Sequence, residues 1–473
     1  MRGLATKRLD TLDEAIIAAG LKDGATISFH HHLRNGDRVL NAVLDRLARA
    51  GLRGLHLSAT SLFPVHAPLV EHIRNGVVDR ISTSYISGPV GEAISQGLLP
   101  TPVRLTTHGG RARAIESDEA PIDVAFVAAC AADEMGNLSG RTGRAPCGTL
   151  GYPMVDVEHA AKVVAVTDTL VPYPLCPIDI AQDKVDYVVK IDAIGDPGGI
   201  VSGATRPAAD PQSLAIAANT AAVISASGLL VDGFAFQTGA GGISLATAEA
   251  VGREMAARGV TGSFACGGIT GFHVDMLEAG LFRSLLDVQC FDLKAVASFA
   301  HNPNHMAMSA AMYAGPHVGG AVVDRLSAVV LGAAEVDLDF NVNVTTRSGG
   351  GIIGGSGGHA DAAQGASLTL VTTRLTAAGW AKIVPKVTTL TTPGSSVDVV
   401  VTEAGVAVNP RRVDLIERFK STDLRILSIE DIAQDARRLA SKPTPDRPVG
   451  PIVAVSQYRD GSIIDEIRAT APP

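Results

Sequence analysis

Three glycine-rich stretches carry the sharpest chemical signal in this sequence. They read QTGAGGISLA (Gln237–Ala246), ACGGITG (Ala265–Gly271) and SGGGIIGGSGGHAD (Ser348–Asp361). The first two follow apolar, strand-like runs and open helical patterns. Backbone N–H groups can therefore approach a ligand closely at a helix N-terminus, which favours negative charge. Neither a GxxxxGK[ST] phosphate loop nor a well-placed GxGxxG fingerprint is present, which disfavours ATP and nicotinamide dinucleotides. The loops suit a carboxylate, a thioester oxyanion or a pantetheine chain.

A second signal is SFHHHLRNGD (Ser28–Asp37). Side chains alternate along a strand, so His30 and His32 face together and His31 faces away, unless the loop turns first. No HExxH or nearby carboxylate pair accompanies the histidines, so no metal site is expected. With Arg34 the cluster suits an anion. Arg141, Arg144 and Arg206 lie in glycine-containing loops, where a guanidinium can clamp a carboxylate. Asn341 and Asn343 alternate on one face of a strand-like run, which allows their amides to point at a ligand. Glu403 ends a near-continuous apolar run. Asp133 and Glu134 are further acid–base candidates.

Positioning these groups requires strands that end at a common edge. Apolar β-branched runs alternate with amphipathic helical patterns along the whole chain, which predicts an α/β fold with mainly parallel sheets. Expected strands in the first half are Ala25–Phe29, Gly54–Ser58, Val103–Thr107, Asp123–Ala129, Lys162–Thr167 and Tyr187–Ile191. In the second half they are Gly233–Phe236, Ser263–Cys266, Ala328–Leu331, Leu338–Val344, Lys386–Leu390, Val397–Thr402 and Ile452–Val455. A Gly-, Pro- and Asp-rich stretch at Gly195–Pro211 places a boundary near residue 206, between units spanning 1–206 and 207–473. A faint echo links Ile122–Asn137 with Val336–Gly350: in both, Asp precedes a buried strand and polar groups follow it. Two such units facing each other would enclose a cleft at the strand ends, where ligands bind in open α/β sheets.

The composition narrows the function classes. Of 473 residues, 46% are apolar and 19% charged, and the net charge of −8 argues against a nucleic-acid surface. The most membrane-like stretch, Pro211–Val231, is broken by polar residues and reads as a core helix rather than a membrane span. The five cysteines are scattered and form no CxxC, and the first fifteen residues hold no signal-peptide core. Both features point to a cytoplasmic protein. The apolar bias leads us to expect contacts between copies of the chain.

Read together, these segments resemble the α-subunit family of bacterial citrate lyase. The likeness runs from DGATISFHHHLRNGD (Asp23–Asp37) through THGGRARAI (Thr107–Ile115), CGTLGY (Cys147–Tyr152), VSGATR (Val201–Arg206), QTGAGGISLA and LLDVQCFD (Leu285–Asp292). It continues through DFNVNVTTRSGGGIIGGSGGHAD and TPGSSVDVVVTEAGVAVNP (Thr392–Pro410) to QYRDGSIIDE (Gln457–Glu466). It implies two tandem homologous CoA-transferase domains of the NagB/RpiA-like type, each an open α/β sheet, with a cleft between them. It also implies a citrate CoA-transferase activity: acetyl thioester plus citrate gives citryl thioester plus acetate. The thioester would be CoA or the phosphopantetheine-type group of an acyl-carrier γ subunit, with no cofactor bound covalently to this chain. A β subunit would then cleave the citryl thioester. Close relatives acting on citramalate, or a scaffold subunit without catalysis, are the alternatives. For the implied reaction, Gly239, Gly241, Gly242, Gly357 and Gly358 are the expected oxyanion donors, and Glu403 and Glu335 the carboxylates to watch. His30, His31, Arg34, Arg141, Arg206, Gln237, Thr238, Asn341, Asn343 and His359 are the expected substrate contacts.

Overall fold

The computed structural model describes residues 6–201, 208–239 and 241–470, so Arg206 and the boundary near it lie outside the described residues. The first half forms strands β1 (Thr26–Phe29), β2 (Leu55–Ala59), β3 (Val78–Thr83), β4 (Val103–Leu105), β5 (Val124–Ala129), β6 (Lys162–Thr167) and β7 (Tyr187–Lys190). They are parallel and lie side by side in the order β4-β3-β2-β1-β5-β6-β7. The second half forms β8 (Ala235–Thr238), β9 (Gly262–Ile269), β10 (Phe282–Cys290), β11 (His305–Ala307), β12 (Ala328–Gly332), β13 (Thr369–Thr372) and β14 (Val399–Val401). Their order, β11-β10-β9-β8-β12-β13-β14, repeats that of the first half strand for strand. Strands β5 and β12, inside their sheets, are buried on both faces, which explains the unbroken apolar runs VAFVAA and AVVL. Two further strands, β15 (Ile452–Gln457) and β16 (Ile463–Arg468), return to the first sheet, with β15 parallel to β4.

Helices fill the connections. The first, Leu12–Ala18, is capped by the Thr11 hydroxyl, which accepts from the Glu14 N–H. The membrane-like stretch is the helix Pro211–Ser227, capped by Asp210. Among the described residues, no helix is long and apolar enough to cross a membrane.

Two expected strands are absent. Lys386–Leu390 is irregular because its N–H groups serve carboxylates instead of a ladder: Val387 donates to Asp337, Thr388 to Glu335 and Leu390 to Asp465. Leu338–Val344 is interrupted by a turn between short antiparallel strands at Glu335–Asp337 and Val342–Asn343. Asp337 accepts from the N–H groups of Asp339 and Asn341 and from the Asn341 amide, drawing the backbone out of the extended form. The same turn occurs in the first half. There Asp133 accepts from the N–H groups of Met135 and Asn137 and from the Asn137 amide. The echo is thus real but sits in the turn D-x-x-x-N, not in the strand before it.

Candidate active site

A cavity of about 510 Å³ opens where the carboxyl ends of strands from both sheets meet. The first half contributes His31, Arg34, Phe63, Tyr85, His108 and Tyr152, from the segments following β1 to β5. The second contributes Gln237 and Thr238 at the end of β8, Gly268 on β9, Gln289 on β10, and the segment Gly355–His359. The first three strands of each half therefore end at one ligand-sized space.

Hydrogen bonds tie the two walls together. The His108 N–H donates to the Gly357 carbonyl at 2.9 Å, and the Gln289 amide donates to the His31 carbonyl at 2.8 Å. Close approach explains particular glycines. A Cβ on Gly268 would overlap the Phe291 ring, and Gly357 holds φ +52°, which favours glycine. Phe291 and Phe63 in turn bracket the Arg34 guanidinium, at 4.7 and 5.1 Å from the ring centroids. Arg34 itself has φ +51°, a left-handed conformation uncommon for a residue with a Cβ and typical of side chains held for function.

Burial sets the charge state of the histidines. His31 is pushed well below its ordinary value by burial, with His108 and Arg34 adding to the effect. Burial, aided by Arg111, takes His108 down to about 3. Burial also takes His359 down to about 4, against the pull of the Gly332 carbonyl. That carbonyl, 3.0 Å from Nε2, can only accept, so Nε2 carries the proton and Nδ1 accepts from Thr392. At neutral pH the three imidazoles are uncharged. Arg34 remains a cation, since burial lowers its pKa from a value far above neutrality. Among the described residues lining the cavity, none is Asp or Glu.

Of the expected site residues, His31, Arg34, Gln237, Thr238, Gly239, Gly241, Gly357, Gly358 and His359 share this cavity. Gly242 begins the helix Gly242–Arg258, next to the cavity wall at Gly241. The others do not line it. His30 sits 3.0 Å from Asp156, which Arg111 holds by two bonds of 2.7 Å. The strand ends at Phe29, so the three histidines lie in the irregular segment after it and strand alternation does not apply; His32 is buried beside His30. Arg141 pairs with Asp179 at 3.0 Å and stacks 3.8 Å from the Phe299 ring centroid. Arg144 donates to the Thr169 hydroxyl through its N–H and to the Asp192 carbonyl through its guanidinium. Asn341 and Asn343 build the second-half turn; Asn343 donates to Glu335 and Thr346. Glu403 accepts from the Leu375 N–H, and Glu335 accepts from Thr388 and Asn343. Asp133 caps its turn and Glu134 is exposed.

Sequence reasoning missed His108, Tyr152, Tyr313, Gln289 and Phe291. Each of the first two follows or opens a glycine-bearing segment, THGGRARAI and CGTLGY, and Gln289 lies in LLDVQCFD. The placement of His108 and Tyr152 after strands, and of Gln289 near a strand's end, was the available signal. One cluster has metal-like donors: Asp287, Cys290 and His305. These serve one another, since Asp287 lies 3.0 Å from both the Cys290 thiol and His305 Nε2.

A family model for the citrate lyase α subunit (CitF) matches residues 5–470. The chain belongs to the citrate lyase α-subunit family. The citrate lyase α chain of Klebsiella pneumoniae is 48% identical over 462 residues, covering 98% of this chain and 91% of that protein. The Escherichia coli citrate lyase α chain is 48% identical over 456 residues, covering 96% of this chain and 89% of its own length. A Streptococcus mutans chain reported as an α subunit of citrate lyase in complex with citrate superposes with TM-score 0.97. It is 47% identical and is matched over 93% of its length and 100% of this chain. More distantly, a chain of a Pseudomonas malonate decarboxylase hetero-tetramer shares the fold, with TM-score 0.67 at 18% identity over 88% of this chain and 83% of that one. Membership of the citrate lyase α-subunit family makes this a transferase-type chain of citrate metabolism that works with other citrate lyase subunits.

Proposed function

We propose that this chain exchanges acetyl for citryl on a thioester: acetyl thioester plus citrate gives citryl thioester plus acetate. The observation that carries the reading is the make-up of the cavity wall, in which Arg34 and two glycine loops face a space without a carboxylate among its described residues. A citrate carboxylate attacks the acetyl carbonyl, the C–S bond breaks, and a thiolate leaves a mixed anhydride of acetate and citrate. The thiolate then attacks the citryl carbonyl, and the C–O bond to acetate breaks. Negative charge develops on a carbonyl oxygen in both steps. The N–H groups of Gly241, Gly242 and Gly358 would meet it, at about 2.7–4 kcal/mol per donor; those of Gly239 and Gly357, expected as donors from the sequence, instead donate to the Val330 and Ser84 carbonyls. Arg34 would hold a citrate carboxylate, while neutral His31 and His108 add no competing charge. Holding the two anions together contributes through proximity. Glu403 and Glu335 are bonded elsewhere and no described residue of the cavity wall is a Glu, which supports the mixed anhydride over a glutamyl thioester.

The citrate in the Streptococcus mutans structure supports the acid named here. The repeated strand order and the repeated D-x-x-x-N turn support two tandem homologous units, divided near residue 206, with the cavity between them. The thioester would belong to CoA or to the phosphopantetheine-type group of the acyl-carrier γ subunit, with the lyase β subunit acting next, in the cytoplasm. The test is to incubate the purified chain with acetyl-CoA and citrate and analyse products by mass spectrometry. Citryl-CoA and acetate are expected. Their absence, also with acetylated carrier protein, would overturn the reading.

A further inference from the structure

We infer that Gln289 is a specificity-determining residue whose side-chain oxygen accepts a hydrogen bond from the hydroxyl of a hydroxy-acid substrate. The inference rests on the proposed citrate chemistry and adds the group that reads the hydroxyl.

Three observations converge on Gln289. It lies in the cavity wall and is fully buried. Its amide nitrogen is committed, because the His31 carbonyl at 2.8 Å can only accept. That contact fixes which end of the amide is which. The remaining atom, Oε1, is buried with no hydrogen-bond partner among the described residues. A buried acceptor left unmade is costly and is rare in a settled fold.

The backbone leaves the regular ladder at this side chain. In the pairing of β9 with β10, Gly267 faces Asp287 but Gly268 faces Gln289, so Val288 is an extra, bulged residue. Bulges beside sites re-aim the side chain that follows. Asp287 pins the bulge by accepting from the Gln289 N–H at 2.7 Å, and is itself held by His305 and Cys290. The Asp287, Cys290 and His305 cluster is thus a support for Gln289.

The chemistry of the partner follows from what surrounds it. Carboxylates are met by Arg34 and by backbone N–H groups, all donors. An acceptor in the same wall is of no use to a carboxylate and would repel one. It suits a donor, and citrate has one donor at neutral pH, its hydroxyl. Citrate and propane tricarboxylate differ only in that group.

The experiment compares binding of citrate and of propane tricarboxylate to the full chain by calorimetry, in wild type and in Gln289→Met, which keeps length and removes both polar atoms. Wild type is expected to bind citrate about tenfold more tightly than the deoxy acid. Gln289→Met is expected to weaken both acids through the lost His31 contact but citrate about tenfold more, so that the ratio is lost. Equal weakening of both acids would mark a merely structural role, through the lost His31 contact, and overturn the inference. Should the variant misfold, equal affinity of wild type for the two acids overturns it as well. Wild type that binds neither acid would instead overturn the functional reading beneath it.

Discussion

The Thr107 hydroxyl donates to one oxygen of Asp361 at 2.9 Å, joining residues 254 positions apart across the two halves of the molecule. The Gly109 N–H donates to the other oxygen, also at 2.9 Å, and Arg459, from the turn between β15 and β16, lies 3.4 Å away. Between Thr107 and Gly109 sits His108, whose N–H meets Gly357. This buried carboxyl thus joins the His108–Gly357 and Gln289–His31 contacts in holding the two walls of the cavity together. Burial raises its pKa to about 6, even with these donors around it.

Asp361→Ala should therefore loosen both walls. The Thr107 and Gly109 donors are left buried without acceptors, which costs about 3 kcal/mol. A urea unfolding midpoint lowered accordingly, with weaker citrate binding, is the expected result. An unchanged midpoint would show that the contact holds nothing.

The histidines predict an acid limb in stability. His108 and His359 titrate at about 3 and 4 in the folded chain but near 6.5 when unfolded. Below about pH 6.5 the unfolded chain takes up protons at these imidazoles that the folded chain does not, so their contribution to stability falls as pH drops toward 4 and is flat above, partly opposed between about pH 6 and 4 by Asp361, whose raised pKa favours the folded form there. Each imidazole should cost about 3 kcal/mol by pH 4. Urea midpoints measured between pH 7 and 4 should fall steeply in wild type and less steeply in His108→Gln. Parallel curves would refute this assignment.

Gly241 separates the ligand from the fold. Among the described residues a Cβ there would touch only the Ser244 hydroxyl, at 3.9 Å, and its φ is −73°. Gly241→Ala should fold with an unchanged melting temperature, yet crowd the oxyanion. Loss of one donor's geometry predicts a drop in kcat of about a hundredfold or more. Full activity would favour a scaffold role for this loop.

Glu403 lies away from the cavity, with both oxygens on the Leu375 N–H. Glu403→Gln keeps an acceptor and should retain kcat within a few-fold. Borohydride reduction after incubation with acetyl-CoA should leave every Glu unmodified. A reduced adduct at any Glu would redirect the chemistry through the protein.

The fold was legible because parallel strands buried on both faces leave long apolar runs. Lys162–Thr167 appears as expected to the residue. The strands lost, at 338–344 and 386–390, are those whose backbone is captured by Asp337 and Glu335, a tertiary event that periodicity does not encode. The site divided in the same way. Glycines at strand ends are a local signal, and the cavity holds His31, Gly241 and Gly358; the alternation expected of His30, His31 and His32 does not apply, because the strand ends at Phe29. Arg141, Asn343 and Glu403 had the right chemistry, but their partners Asp179, Thr346 and Leu375 are distant in sequence or were not distinguishable there. Gln289 depends on a bulge at Val288 and a carbonyl 258 positions away.

Direct exchange within the cavity can be tested by a single turnover with citrate whose carboxylates carry a heavy oxygen isotope. In the mixed-anhydride route, the oxygen that attacks the acetyl carbonyl leaves with acetate. The first acetate released by the chain, with acetyl-CoA as donor, should carry one heavy oxygen, and the protein none. Unlabelled acetate in that first turnover, with the heavy oxygen recovered in a protein carboxylate, would contradict it.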